Sequence, residues 1–183
     1  MKSSKRALKL VCAGMMQSWR NTGLGSYVRY TELTPTKSGI TGMIACALGY
    51  PRNDPRIVQL KNSFELYIDT NESGPLYPDS VDKIPDIMVD YQTVSAIGMK
   101  KAGGGTLDTP SIINKEYIVN YKFVLYITAD TELLNKIKDA LVNPVWQYYL
   151  GSKNCIPSEP VCRGIVENID LEENVNVFKH IRM

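Results

Sequence analysis

The chain has 183 residues, of which 44% are hydrophobic and 22% charged, ordinary globular usage that excludes a largely disordered polymer. Its net charge of +2 hides a segregation: residues 1–61 carry ten Lys and Arg against two acids, a balance of +8, while the remainder stands at −6. A basic segment joined to an acidic remainder suits a defined site for a polyanion and argues against indiscriminate coating of nucleic acid, although a surface that meets other proteins accounts for the acidic part equally well.

The length fits a single domain over 1–183. No apolar run is long enough to cross a bilayer, and Ala7 to Ala13, interrupted by Lys9, is too short for a secretory segment. A cytoplasmic protein with no membrane partner is expected. Cys12, Cys46, Cys155 and Cys162 form no C-x-x-C pair and His180 is the only histidine, so neither a metal site nor a cofactor is expected.

In chain order, Ala7 to Ala13 reads as a strand with Leu8, Leu10 and Cys12 on one face, ended by Gly14. A loop with short strand material follows to Leu33. Pro35 then fixes the chain before a helix over about Thr36 to Leu48, whose Ile40, Met43, Ile44, Ala47 and Leu48 recur at helical spacing. Either Thr36 or Ser38 can cap it. Gly39 and Gly42 weaken a helix, which predicts close approach of backbone or ligand there. Asp54-Pro55 starts a short helical turn through Leu60, and Phe64 to Asp69 alternates as a second strand. Residues 70–120 hold four prolines, the run Gly103-Gly104-Gly105 and two strand-like flanks, Ile87 to Ala96 and Ile112 to Val119, which predict a long hairpin reaching out of the domain. Tyr121 to Thr128 is a clear strand, Asp130 caps a helix with Leu133, Leu134, Ile137, Ala140 and Leu141 as its buried stripe, and Val161 to Ile169 supplies a last strand. Without the hairpin the order is strand, helix, strand, strand, helix, strand. That is an α+β, ferredoxin-like (RRM-type) βαββαβ domain.

Function is carried by the site and not by such a fold. The helix start Thr34-Pro35-Thr36-Lys37-Ser38-Gly39 offers free N–H groups, the positive helix end and the Lys37 charge to a phosphate. Arg20 and Arg29 belong to the same basic segment. Eleven tyrosines and two tryptophans against three phenylalanines suit stacking on bases at a wet surface, with Trp19, Tyr27, Tyr30, Tyr91 and Tyr117 as candidates. Enzyme motifs fail. The run from Gly98 has P-loop spacing, but Gly104 and Gly105 stand where Lys and Ser/Thr are needed. Gly23-Leu24-Gly25 lacks the third glycine of a dinucleotide fingerprint, and Asp86 with Asp90 or Glu172 with Glu173 read as solvated acids. Metal-independent RNA cleavage by Tyr and Lys ranks second to a non-catalytic role.

The segments Leu8-Lys9-Leu10-Val11-Cys12-Ala13-Gly14-Met15-Met16-Gln17-Ser18-Trp19, Pro35-Thr36-Lys37-Ser38-Gly39 to Leu48-Gly49, Asp90-Tyr91-Gln92-Thr93-Val94 and Tyr149-Leu150-Gly151-Ser152-Lys153-Asn154-Cys155 with Pro157 resemble, in that order, the CasD subunits of Cascade, the crRNA-guided type I-E CRISPR effector. The resemblance implies an RNA-binding domain with a thumb hairpin at about 70–120. It implies a role in antiviral defence: holding the 5′ handle of the crRNA, contacting the backbone and large subunits, and meeting target DNA through the assembled complex. It places Gln17, Trp19, Lys37, Ser38, Lys100, Lys101 and Lys153 near the handle. Two departures stand out: the sequence stops soon after the presumed last strand, and Gly103 to Gly105 replace bulkier residues expected at the hairpin tip.

Overall fold

The structure, a computed structural model, describes residues 5–20, 28–77, 84–94, 100, 104–106 and 110–169. Tyr27, Lys101, Gly98, Gly103 and His180, the Gly23-Leu24-Gly25 stretch and the pair Glu172 with Glu173 lie outside these residues. The alternation that begins at Ala7 does not stop at Gly14: β1 runs Lys5–Gln17. Gly14 stays in the ladder opposite Tyr121. Its missing side chain serves close packing instead, since a Cβ would lie 3.0 Å from Leu150 Cδ1 and 3.1 Å from the Ile156 carbonyl. The short strand material expected before Leu33 is β2 (Trp19–Arg20), β3 (Val28–Arg29) and β4 (Thr31–Glu32), with β2 and β4 paired as a two-stranded ribbon.

Helix α1 spans Lys37–Ala47, and Thr36 is its cap: Oγ1 accepts the Gly39 N–H at 3.1 Å. Ile40, Met43, Ile44 and Ala47 are buried, as their spacing requires. Gly42 does not meet the expectation of close approach, because a Cβ there would enter open space. Helix α2 (Arg56–Asn62) starts where the Asp54 carboxylate accepts the Arg56 N–H at 2.9 Å. Strand β5 is Glu65–Pro75, longer than the alternation suggested because its ladder with β7 is interrupted between Asp69 and Gly74. There Asp69 Oδ1 accepts the N–H groups of Asn71 and Glu72, and the Ser73 hydroxyl donates to the Asp69 carbonyl while accepting the Val124 N–H at 3.0 Å.

Strand β6 is Asp86–Val94 and β7 is Ser111–Thr128, so the two strands expected as Ile112 to Val119 and Tyr121 to Thr128 are one. Asn120, at φ 50°, marks the joint. Asparagine tolerates this region better than other residues with a side chain. Helix α3 is Thr131–Val142, capped by Asp130, which accepts the Leu133 N–H at 2.8 Å, and β8 is Cys162–Ile169.

The central strands lie in the order β5-β7-β1-β8, each antiparallel to its neighbour. The buried residues of all three helices pack on the face carrying Leu8, Leu10, Cys12, Phe123, Leu125 and Ile127. Ala7, Val11, Ala13, Val124 and Tyr126 form a smaller cluster on the other face. Only the C-terminal half of β7 belongs to this core sheet. Its N-terminal half carries β6 on one side and β3 on the other.

Candidate nucleic-acid interface

Three segments far apart in sequence meet at the end of β1. The Leu150 carbonyl accepts the Ser18 N–H at 3.0 Å, and Gly151, at φ 91°, lies so close that a Cβ would be 1.7 Å from the Ser18 carbonyl oxygen. One residue on, the Trp19 N–H donates to Thr31 Oγ1 at 2.8 Å, and the indole lies under the first turn of α1. A Cβ on Gly39 would be 2.9 Å from Trp19 Cε3, so the first turn accepts the indole because position 39 is bare. Gln17 completes the joint. Its Oε1 accepts the Trp19 Nε1–H at 3.1 Å, and its Nε2 donates to the carbonyls of Tyr121 (2.7 Å) and Cys12 (3.1 Å). A buried amide with its groups paired in this way fixes the strand end, and through it the positions of both the helix start and the 149–155 loop.

The predicted residues divide into floor and surface. Gln17 and Trp19 are 0% exposed and Tyr117 3%, so in this structure they are packing residues and not stacking platforms. The tryptophan is the largest side chain available to fill the space between β1 and α1, and burial of its ring outweighs exposure to a ligand. Arg20, Arg29, Ser38, Lys100 and Lys153 are exposed, and Lys37 is half-buried. Tyr91 (63% exposed) and Tyr30 (46%) are the described candidate aromatics that offer a ring face to solvent. Arg20 is paired with Thr31 in the ribbon, and Lys153 rides on the loop held by Ser18. Tyr91 and Lys100 belong to the β6–β7 hairpin, where Lys100 forms a bridge with Thr106. Sequence reasoning missed Thr31, Glu116 and Lys115. Glu116 accepts the Thr31 N–H at 3.2 Å and ties the ribbon to β7. Lys115, the cation in the strand-like flank Ile112 to Val119, was a signal in plain view.

Folding partly cancels the charge segregation. Arg6 pairs with Glu167 (2.8 Å), Lys9 with Glu72 (2.6 Å), Arg56 with Asp54 (2.6 Å) and Lys37 with Glu65 (3.5 Å), so acids from the remainder beyond residue 61 pair with three of these cations. Burial pulls the Lys9 ammonium down, but the bond to Glu72 and the charge of that carboxylate outweigh it and hold its pKa above the ordinary value. Among the described residues Arg20 and Arg29 form no ion pair, and they stand beside the junction. Lys37 also lies 5.3 Å from the Phe64 ring centroid, a contact that holds its ammonium against the sheet edge. Burial pushes the Cys12 thiol up to about 12 and Cys155 up to about 11, which makes both poor nucleophiles and poor metal ligands. No described group of three or more His, Cys, Asp or Glu is placed to hold a metal ion, and no described helix is long and apolar enough to cross a membrane.

Fold and junction together define an α+β protein that joins a capped helix start, a ribbon and a loop at the end of its first strand, beside a buried tryptophan. The chain belongs to the CRISPR-associated protein family Cas_Cas5, whose model matches residues 7–180. It is 27% identical over 168 residues to the CRISPR system Cascade subunit CasD of Escherichia coli (strain K12), across 89% of this chain and 72% of that one. A chain of a CRISPR RNA-guided surveillance complex superposes with a TM-score of 0.66 at 26% identity, covering 85% of this chain and 61% of that one. A solved Cas protein at 23% identity shares the fold with a TM-score of 0.55 and the same coverage. The chain therefore spans about three fifths of the length of these solved relatives.

Proposed function

We propose that this chain is a non-catalytic subunit of a Cascade-type CRISPR surveillance complex that binds the 5′ handle of the guide RNA and contacts the backbone and large subunits. The observation that carries this reading is the convergence at the end of β1. Of the segments that resemble the CasD subunits, Pro35 to Gly39 and Tyr149 to Cys155 each pack on Gln17 to Trp19, and the polar residues Arg20, Lys37, Ser38 and Lys153 on or beside these segments are exposed or half-buried. A helix N-terminus with no acidic residue in its first turn, bordered by cations, favours a phosphate. The strand order β5-β7-β1-β8 with helices on one face supports a ferredoxin-like domain, and the β6–β7 hairpin that leaves it supports a thumb. With a single histidine, at position 180, the sequence lacks the usual means of acid–base cleavage, which is why the role is taken as binding.

The test uses the full chain and labelled repeat RNA at several salt concentrations in EDTA. Lys37→Glu is expected to weaken binding and to lower the salt slope by about 0.7 for each phosphate no longer neutralised. Unchanged affinity and slope would reject the site. A single cleavage product with a cyclic phosphate end would replace the binding role by metal-independent endoribonuclease processing.

A further inference from the structure

Strands β3, β7 and β6 place Arg29, Lys115 and Asp90 in one row: Arg29 is the parallel partner of Lys115, and Lys115 the antiparallel partner of Asp90. Neighbouring strands lie about 4.8 Å apart and paired residues share a face, so two cationic stems stand side by side. Like charges opposite one another destabilise a sheet. Asp90 offsets one of the two positive charges at most: its Oδ2 accepts the Gln92 Nε2–H at 2.6 Å, and it makes no ion pair with either cation among the described residues. Among the described residues neither Arg29 nor Lys115 makes an ion pair. A row of two cations against one acid keeps a positive excess and is complementary to an external anion.

Position supports the same conclusion. Arg29 is two residues from Thr31, whose hydroxyl accepts the Trp19 N–H, and Lys115 precedes the Glu116 that holds the Thr31 N–H. The pair is thus fixed to the junction under α1 by backbone and side-chain bonds. The next row, Val28, Asn114 and Tyr91, points to the opposite face, where Ile87, Val89 and Ile112 are also exposed. The base of the hairpin thus has one face that carries Arg29 and Lys115 together with Asp86, Met88 and Asp90, and one largely apolar face.

We infer that Arg29 and Lys115 form a phosphate-binding pair at the base of the hairpin, which takes the backbone of the single-stranded RNA as it leaves the α1 start. The inference rests on the RNA-binding reading above and adds a site and a direction to it: the strand runs along the Arg29/Lys115 face, and Tyr91 lies on the other side.

The test uses the full chain with labelled single-stranded repeat RNA across a salt series. The double variant Arg29→Gln/Lys115→Gln should lower the salt slope by about 0.7 for each phosphate released. Lys115→Arg, which keeps the charge, should retain the full slope and so separates loss of charge from loss of fold. Lys138→Gln, which removes a cation from the remote helix α3, should leave the slope alone. A double variant that behaves like Lys138→Gln while Lys37→Glu still lowers the slope would overturn this pair and spare the RNA-binding reading. Lys37→Glu and the double variant both without effect would overturn the two together.

Discussion

Docking of the 149–155 loop on β1 is tested by a matched pair of glycine substitutions. Gly151 and Gly164 have nearly the same backbone conformation, φ 91° and 94°, but a Cβ at 164 would meet nothing within 4 Å while one at 151 would lie 1.7 Å from the Ser18 carbonyl oxygen. Both alanine variants carry the cost of a side chain at positive φ, about 1–2 kcal/mol. Gly151→Ala must also move the loop. That breaks the Ser18 to Leu150 hydrogen bond, a net loss of about 1 kcal/mol, and uncovers Leu150, a fully buried side chain whose burial contributes about 1.5–3 kcal/mol. The combined cost is about 3.5–6 kcal/mol for Gly151→Ala. For a chain of this length that corresponds to a fall in Tm of roughly 7–24 °C, against roughly 2–8 °C for Gly164→Ala. Scanning calorimetry of the two variants reads the difference directly, and RNA affinity should fall with Gly151→Ala because the loop carries Lys153. Equal shifts in Tm would refute the close approach at Ser18 and with it the packing of the loop on the strand.

Two further outcomes follow from the buried groups. Gln17→Leu leaves the Trp19 indole N–H without its acceptor at a site with no solvent access, so stability should fall by about 1–3 kcal/mol in urea unfolding followed by tryptophan fluorescence. A change within about 0.5 kcal/mol would show that the amide is not fixing the strand end. Cys12 titrates at about 12 in the folded chain against an ordinary 9.0, so between these values the folded state retains a proton that the unfolded state releases. Its contribution is intact below pH 9 and is lost as pH rises toward 12, with Cys155, at about 11, acting in the same direction. The urea midpoint should therefore drop above pH 9, less steeply in Cys12→Ala, and parallel pH profiles of the two proteins would contradict that origin.

Local physics made much of this protein legible in its sequence. Alternation at Leu8, Leu10 and Cys12, helical spacing from Ile40 to Leu48, and the caps at Thr36 and Asp130 are short-range signals, and α1, α3 and the core strands form where they predict. The basic helix start and the segments shared with the CasD subunits were legible for the same reason. Whether an aromatic stacks or packs is a different kind of question, because burial depends on partners distant in sequence. Trp19 reads as a surface platform in the sequence, and in the fold Gly39 and Gln17 enclose it. Likewise, the +8 of the first 61 residues can be counted from the sequence, but only folding shows that Glu65, Glu72 and Glu167 cancel part of it and leave Arg20 and Arg29 without an ion pair among the described residues. The continuity of β7 through Asn120, and with it the row that sets Lys115 beside Arg29, is a matter of strand register, which pairing between distant segments decides and no window of sequence contains.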